Sequence, residues 1–259
     1  TYSMFHGCSG VTSFPSGLLE SENISASLTN MTFMFNGCSG VTSFSSGWNF
    51  SNATIVQGLF KGCSGVTSFA SEYDFSSATN VTELFRACTS ITTVPAYTFG
   101  ATTSFYLMFY GCTSLTSVPA FSYSSITNFQ YFLYGCTSLT TGPTIDTSSA
   151  TDLSLMFQNC TGLTSIPTYD LTSATTTYGM FSGCTGMTSF PSDLLSSTAP
   201  DPNISASLTT MNLMFYNCTG VTSFPSGWDF SNATNVSGIF KHCTLSLIHI
   251  SEPTRQAEI

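Results

Sequence analysis

The sequence predicts an α/β solenoid: about ten stacked coils of 24–25 residues, each pairing a short parallel strand with a short helix. Three observations predict it. The ten cysteines recur almost evenly, an apolar face precedes each one, and an extended run follows it. The cysteines stand at 8, 38, 63, 88, 112, 136, 160, 184, 218 and 243, so one unit of 24 or 25 residues repeats with two enlarged copies. Fixed periods of this size mark repeat architectures, in which no unit buries its apolar side alone.

The helix is predicted from the residues leading up to each cysteine. Three positions before it stands Phe in nine of the ten copies (Phe5, Phe35, Phe60, Phe85, Phe109, Phe157, Phe181, Phe215 and Phe240), with Leu133 in the other. The position before that holds Met, Leu, Ile or Phe, and the seventh residue back is usually apolar, with Thr1 and Thr177 departing from the pattern. Offsets of −7, −4, −3 and 0 are the one-face signature of a helix. A Thr nine residues before the cysteine (Thr29, Thr54, Thr79 and their equivalents) is placed to accept a free N–H of the first turn. Gly or Asn just before most of the cysteines fits a left-handed residue closing the helix, with Ala87 and His242 departing from that pattern.

The strand is predicted from runs such as Leu115-Thr116-Ser117-Val118-Pro119. Branched and aromatic residues favour extended backbone, and Pro, lacking an N–H, ends it. Stacking then places Cys38, Cys63, Cys88, Cys112, Cys136, Cys160, Cys184 and Cys218 beside the Phe row in one continuous core. Insertions near 16–28 and 192–208 are expected to project as loops, and residues 220–240 closely copy 40–60, as block duplication would produce.

Residues 1–244 are read as the solenoid. Leu245–Arg255 reads like the in-frame translation of a transposase sequencing adapter. Residues 245–259 are therefore expected to be adapter read-through on a truncated metagenomic fragment, the bland alternative being a capping strand.

Composition excludes several function classes. Charged residues make up 7%, net charge is −9, and the four Lys and Arg are scattered, so no basic patch awaits a nucleic acid. No apolar run is long enough to span a bilayer, so no membrane contact is expected within this stretch. The cysteines form no tight pair with metal-ligand spacing, and the three His follow no ligand pattern. They read as buried thiols, with disulfides between adjacent coils or metal as alternatives. No base accompanies a nucleophile, and repetition itself argues for a structural use of Asp74, Asp146, Asp170 and Asp229 in turns. No catalytic residue, metal site or cofactor is expected.

The unit resembles the BspA-like leucine-rich repeats of lipoprotein type, through Trp228-Asp229-Phe230-Ser231-Asn232-Ala233-Thr234-Asn235-Val236 and then Ile239-Phe240 and Cys243. Copies around Trp48, Tyr73 and Tyr169 carry the same pattern, over residues 1–244. Phe where Leu is usual, and the two inserts, depart from it. The resemblance implies a right-handed leucine-rich-repeat stack in a secreted or cell-surface protein used in adhesion.

Two surfaces are candidate recognition faces. One is the Thr row four residues after each cysteine: Thr42, Thr67, Thr92, Thr116, Thr140, Thr164 and Thr188. The other is an aromatic strip of Tyr106, Tyr110, Tyr131 and Tyr134. Either serves a non-enzymatic adhesion or recognition module whose partner is a host or cell-surface protein or glycan. The competing reading is a structural spacer, or a host-facing fibre segment of a phage or surface assembly, with no specific ligand.

Overall fold

A computed structural model describes residues 2–20, 27–196 and 204–244. The 245–259 segment, and parts of both enlarged units (21–26 and 197–203), lie outside the described residues.

Among the described residues there is no α-helix and no β-strand. The regular structure is one 3-10 turn, Ser16–Leu18, and a series of isolated parallel bridges. This overturns the α/β solenoid of strand-plus-helix coils. The resemblance to BspA-like leucine-rich repeats falls with it, because that architecture requires both elements in every coil.

The backbone hydrogen bonds show why no helix forms. In residues 31–38, alternate N–H groups serve different partners. Met34, Asn36 and Cys38 donate to the carbonyls three residues back (Met31, Phe33, Phe35) at 3.1–3.2 Å. Met31, Phe33, Phe35 and Gly37 donate instead to Ile55, Gln57, Leu59 and Lys61 of the next unit, at 2.7–3.0 Å. Half the donors an i→i−4 ladder needs are thus committed between units, and the segment becomes a run of tight turns. Each unit also turns through two left-handed residues, at offsets −5 and −1 from the cysteine, as at Phe33 and Gly37 or Leu155 and Asn159. The −1 position is left-handed in all ten units, Ala87 and His242 included. A left-handed residue in mid-segment terminates a helix before it starts. Successive three-residue turns nevertheless point −7, −4, −3 and 0 inward, which is why the sequence mimics a helical face.

The extended run after each cysteine pairs too sparsely to become a strand. Thr116 N–H donates to Thr92 O at 2.9 Å, Thr164 to Thr140 at 2.8 Å, and Gly142 to Ser165 at 2.8 Å. Pro at offset +7 in seven units removes a donor where a ladder would continue.

The units stack through their interior. Phe5, Phe35, Phe60, Phe85 and Phe109 form a near-parallel column with centroids 5.5–6.1 Å apart. Leu133 interrupts it, and Phe157, Phe181, Phe215 and Phe240 resume it at 5.5–5.9 Å. Buried Trp48, Tyr73, Tyr97 and Tyr169 each donate their polar hydrogen to a carbonyl (Ser16, Ser45, Ala70 and Pro143) of the preceding unit. The apolar bodies fill the core and the polar tips are satisfied.

The threonines at −9 have a different role from the expected helix cap. Thr54, Thr79, Thr127, Thr151, Thr175 and Thr234 donate Oγ–H to the carbonyl of the equivalent Thr one unit earlier, at 3.0–3.3 Å. The same carbonyls accept the backbone N–H of those threonines at 2.8–2.9 Å. The row is a rail tying unit to unit.

Candidate recognition face

Cys38, Cys63, Cys88, Cys112, Cys136, Cys160, Cys184 and Cys218 are buried free thiols. Each donates its S–H to the carbonyl at offset −3 of the preceding unit, from Cys38 to Phe5 (3.2 Å) through Cys218 to Phe181 (3.2 Å). Burial pushes the Cys38 thiol up to about 11 and those of Cys112 and Cys160 up to about 12. Protonated thiols that donate inward are poor nucleophiles and poor metal ligands. Phe35, Phe60, Phe85, Phe109, Phe157, Phe181 and Phe215 are fully buried beside them.

Thr42, Thr67, Thr92, Thr116, Thr140, Thr164 and Thr188 are exposed. Thr116 Oγ–H donates to Thr92 O at 3.1 Å and Thr164 to Thr140 O at 2.9 Å, so part of the row's hydrogen-bonding capacity is spent on the scaffold.

The four tyrosines come together. They are half-buried rather than fully exposed, and they lie on the turn segments of two adjacent units. Tyr110 and Tyr134 stack with centroids 4.4 Å apart and planes within 5°. Tyr131 packs against both, at 6.2 and 5.8 Å, and Tyr106 meets Tyr131 edge-on at 6.1 Å. Tyr131 occupies a left-handed position, with φ of 59°. Asn159 Nδ2 donates to Tyr134 Oη at 3.1 Å, and Arg86 stands over the Tyr110 ring at 4.7 Å. Burial pushes the Tyr110 and Tyr131 phenols up, with neighbouring tyrosines adding to the shift.

A charged group continues this face: the repeat pattern marks its two cations, at the variable position two residues before the cysteine, but not its carboxylate. Glu83 Oε2 accepts from Lys61 Nζ at 2.5 Å and from Arg86 Nη1 at 2.9 Å. Burial raises the Glu83 carboxyl, but the two cations outweigh that and hold it below the usual carboxylate range. Lys61, Arg86, Tyr110 and Tyr134 all sit two residues before a cysteine, so the common offset was the available signal. Glu83 gave none, because it occupies a left-handed position where Gly58 and Gly179 stand in other units.

Asp74, Asp146, Asp170 and Asp229 each accept the N–H two residues on, from Ser76, Ser148, Thr172 and Ser231, at 2.7–3.0 Å. The hydrogen bonds from Ser76 and Ser148 hold Asp74 and Asp146 below the ordinary value. A shallow, open recess bordered by Glu72, Asp74 and Tyr97 lies beside one of these turns. Among the described residues, no group of three or more His, Cys, Asp or Glu is placed to hold a metal, and no helix is long and apolar enough to cross a membrane.

None of the curated proteins matches the chain. Solved structures give loose geometric likenesses. A leucine-rich repeat protein from Eubacterium ventriosum is 16% identical with a TM-score of 0.37, matching 82% of this chain, which spans 66% of that protein's length, just under two thirds. A leucine-rich repeat protein from Bacteroides ovatus is 17% identical with a TM-score of 0.29, matching 95% of this chain and 76% of that one. A leucine rich cell surface protein from Faecalibacterium prausnitzii is 16% identical with a TM-score of 0.28, matching 87% of this chain and 78% of that one. Sequence-family comparison is firmer. Residues 2–97, 103–199 and 145–252 match one family profile, so the chain belongs to the family described as "Mycoplasma protein of unknown function, DUF285".

Proposed function

We propose that the chain is a non-enzymatic recognition module, secreted or displayed at a cell surface, that holds a host or cell-surface protein or glycan. The observation that carries this reading is the Tyr106, Tyr110, Tyr131 and Tyr134 cluster. Half-buried aromatic rings, fixed by stacking and by Asn159, present contact area with little side-chain entropy left to lose. The exposed Thr42–Thr188 row is proposed as a secondary contact surface along the same scaffold.

The test is adhesion of beads carrying the full chain to intact cultured epithelial cells. The double variant Tyr110→Ala/Tyr134→Ala should lower retention about tenfold, the size expected when an interface centre is truncated. Retention equal to that of uncoated beads, with or without the tyrosines, identifies the chain as a spacer and overturns the proposal.

A further inference from the structure

We propose that Lys61, Arg86 and the Tyr110–Tyr134 stack form one binding site for an anionic saccharide, carboxylated or sulfated. This inference rests on the recognition reading above and narrows its ligand class.

Local charge here opposes that of the whole chain. The chain carries −9 overall, yet Lys61, Glu83 and Arg86 sum locally to +1 because one carboxylate serves two cations. The Glu83 side chain is 11% exposed, while those of Lys61 and Arg86 are 27% and 30% exposed. The acid therefore lies beneath and the cations above, where a ligand meets them first. Lysine carries three N–H donors and arginine five, so a single contact with Glu83 leaves most donor directions outward. Glu83 fixes both cations in place and lowers the entropy a ligand must remove to engage them.

Geometry supplies the rest. The guanidinium over Tyr110 and the Tyr110–Tyr134 pair form a continuous column of planar groups. A guanidinium lying over a ring keeps its edge donors for a carboxylate or sulfate. The tyrosine edges and hydroxyls meet the C–H and O–H groups of a pyranose ring. Lys61 to Asn159 spans five consecutive units, about 19 Å at the spacing of parallel-paired backbone, which suits a short oligosaccharide better than one sugar.

The experiment is titration calorimetry of the full chain with three saccharide probes (tetragalacturonic acid, a sulfated chondroitin tetrasaccharide and neutral cellotetraose) and with poly-glutamate as an acidic peptide control. At least one anionic probe should bind about tenfold tighter than the neutral one, and added salt should narrow the gap. Arg86→Gln and, separately, Lys61→Gln should abolish the preference without lowering the thermal midpoint much. Tyr110→Ala/Tyr134→Ala should weaken every probe. Equal affinity for cellotetraose overturns the anion assignment, as does anionic binding that survives both charge variants. Binding of poly-glutamate but of no saccharide also overturns it, in favour of an acidic peptide partner. Tyrosine-dependent cell adhesion without binding of any of these saccharides defeats this inference alone; loss of both defeats the recognition reading too.

Discussion

Cysteine is an unusual choice for a row that forms no disulfide, and its partners explain the choice. The side chain is small enough to sit beside the stacked Phe rings, and its S–H reaches the −3 carbonyl of the unit before, as from Cys136 to Phe109 at 3.3 Å. Alanine fills less space and donates nothing. Cys136→Ala should therefore cost about 1–2 kcal/mol in denaturant unfolding, from the cavity and the lost donor together. The thiols also make a labelling prediction. In native protein the eight from Cys38 to Cys218 should resist a thiol reagent, while half-buried Cys8 and Cys243 react first. Uniform labelling before unfolding would contradict the buried row.

At the scale of the turn segment, size complementarity replaces helical packing. The −5 side chain of one unit lies over the −5 glycine of the next: Phe33 over Gly58, Leu155 over Gly179. A Cβ on Gly179 would stand 2.7 Å from Leu155 Cδ2, at a φ of +56° that already disfavours any other residue. Gly179→Ala should destabilise by about 1–3 kcal/mol, and a double-mutant cycle with Leu155→Ala should show part of that cost relieved. The threonine rail is weaker. Thr151→Val loses one hydroxyl bond to Thr127 O, but that carbonyl keeps the N–H groups of Thr151 and Asp152 at 2.8 and 3.1 Å. A loss of about 0.5 kcal/mol in thermal or denaturant unfolding is expected. These details mark the limit of what sequence shows. The period, the inward residues and the left-handed −1 position were legible from Cys, Phe and Gly spacing. The second left-handed position was not, because Phe33, Glu83, Leu107, Tyr131 and Leu155 occupy it as readily as Gly58. Local periodicity cannot reveal that alternate N–H groups are claimed by another unit 24 residues away.

For the whole molecule, the aromatic and aliphatic column is the main source of stability. Phe85→Ala, in its middle, should cost about 3–5 kcal/mol, because the ring faces Phe60 and Phe109 on its two sides. The buried thiols and phenols also give stability a defined pH dependence. Their folded-state values lie above those of the unfolded chain, so the stabilising difference is fully present below the ordinary thiol value near 9. It is lost as pH rises toward about 11 for Cys38 and about 12 for Cys112 and Cys160. Glu83 acts at the other end: its depressed carboxyl stabilises above the unfolded value of about 4.3 and ceases to do so as pH falls through the folded value. Unfolding midpoints measured from pH 3 to 11 should fall at both extremes, and a midpoint unchanged between pH 8 and 11 would contradict the thiol contribution. The tyrosine face was half legible: the rings were visible as a cluster in sequence, whereas Glu83 between its two cations emerges only when two adjacent units are brought side by side.

The bonds joining one unit to the next have a mechanical consequence. Phe129, Tyr131, Leu133 and Gly135 reach Asp152, Ser154, Met156 and Gln158 through N–H···O bonds of 2.8–3.0 Å, and comparable sets join most neighbouring turn segments. Drawn apart by its two ends, such a chain bears load in series. It should yield one unit at a time, each rupture releasing about 80 Å of contour for 24 residues at roughly 3.4 Å apiece. Pulled by its ends, it would extend by stepwise lengthening under tension.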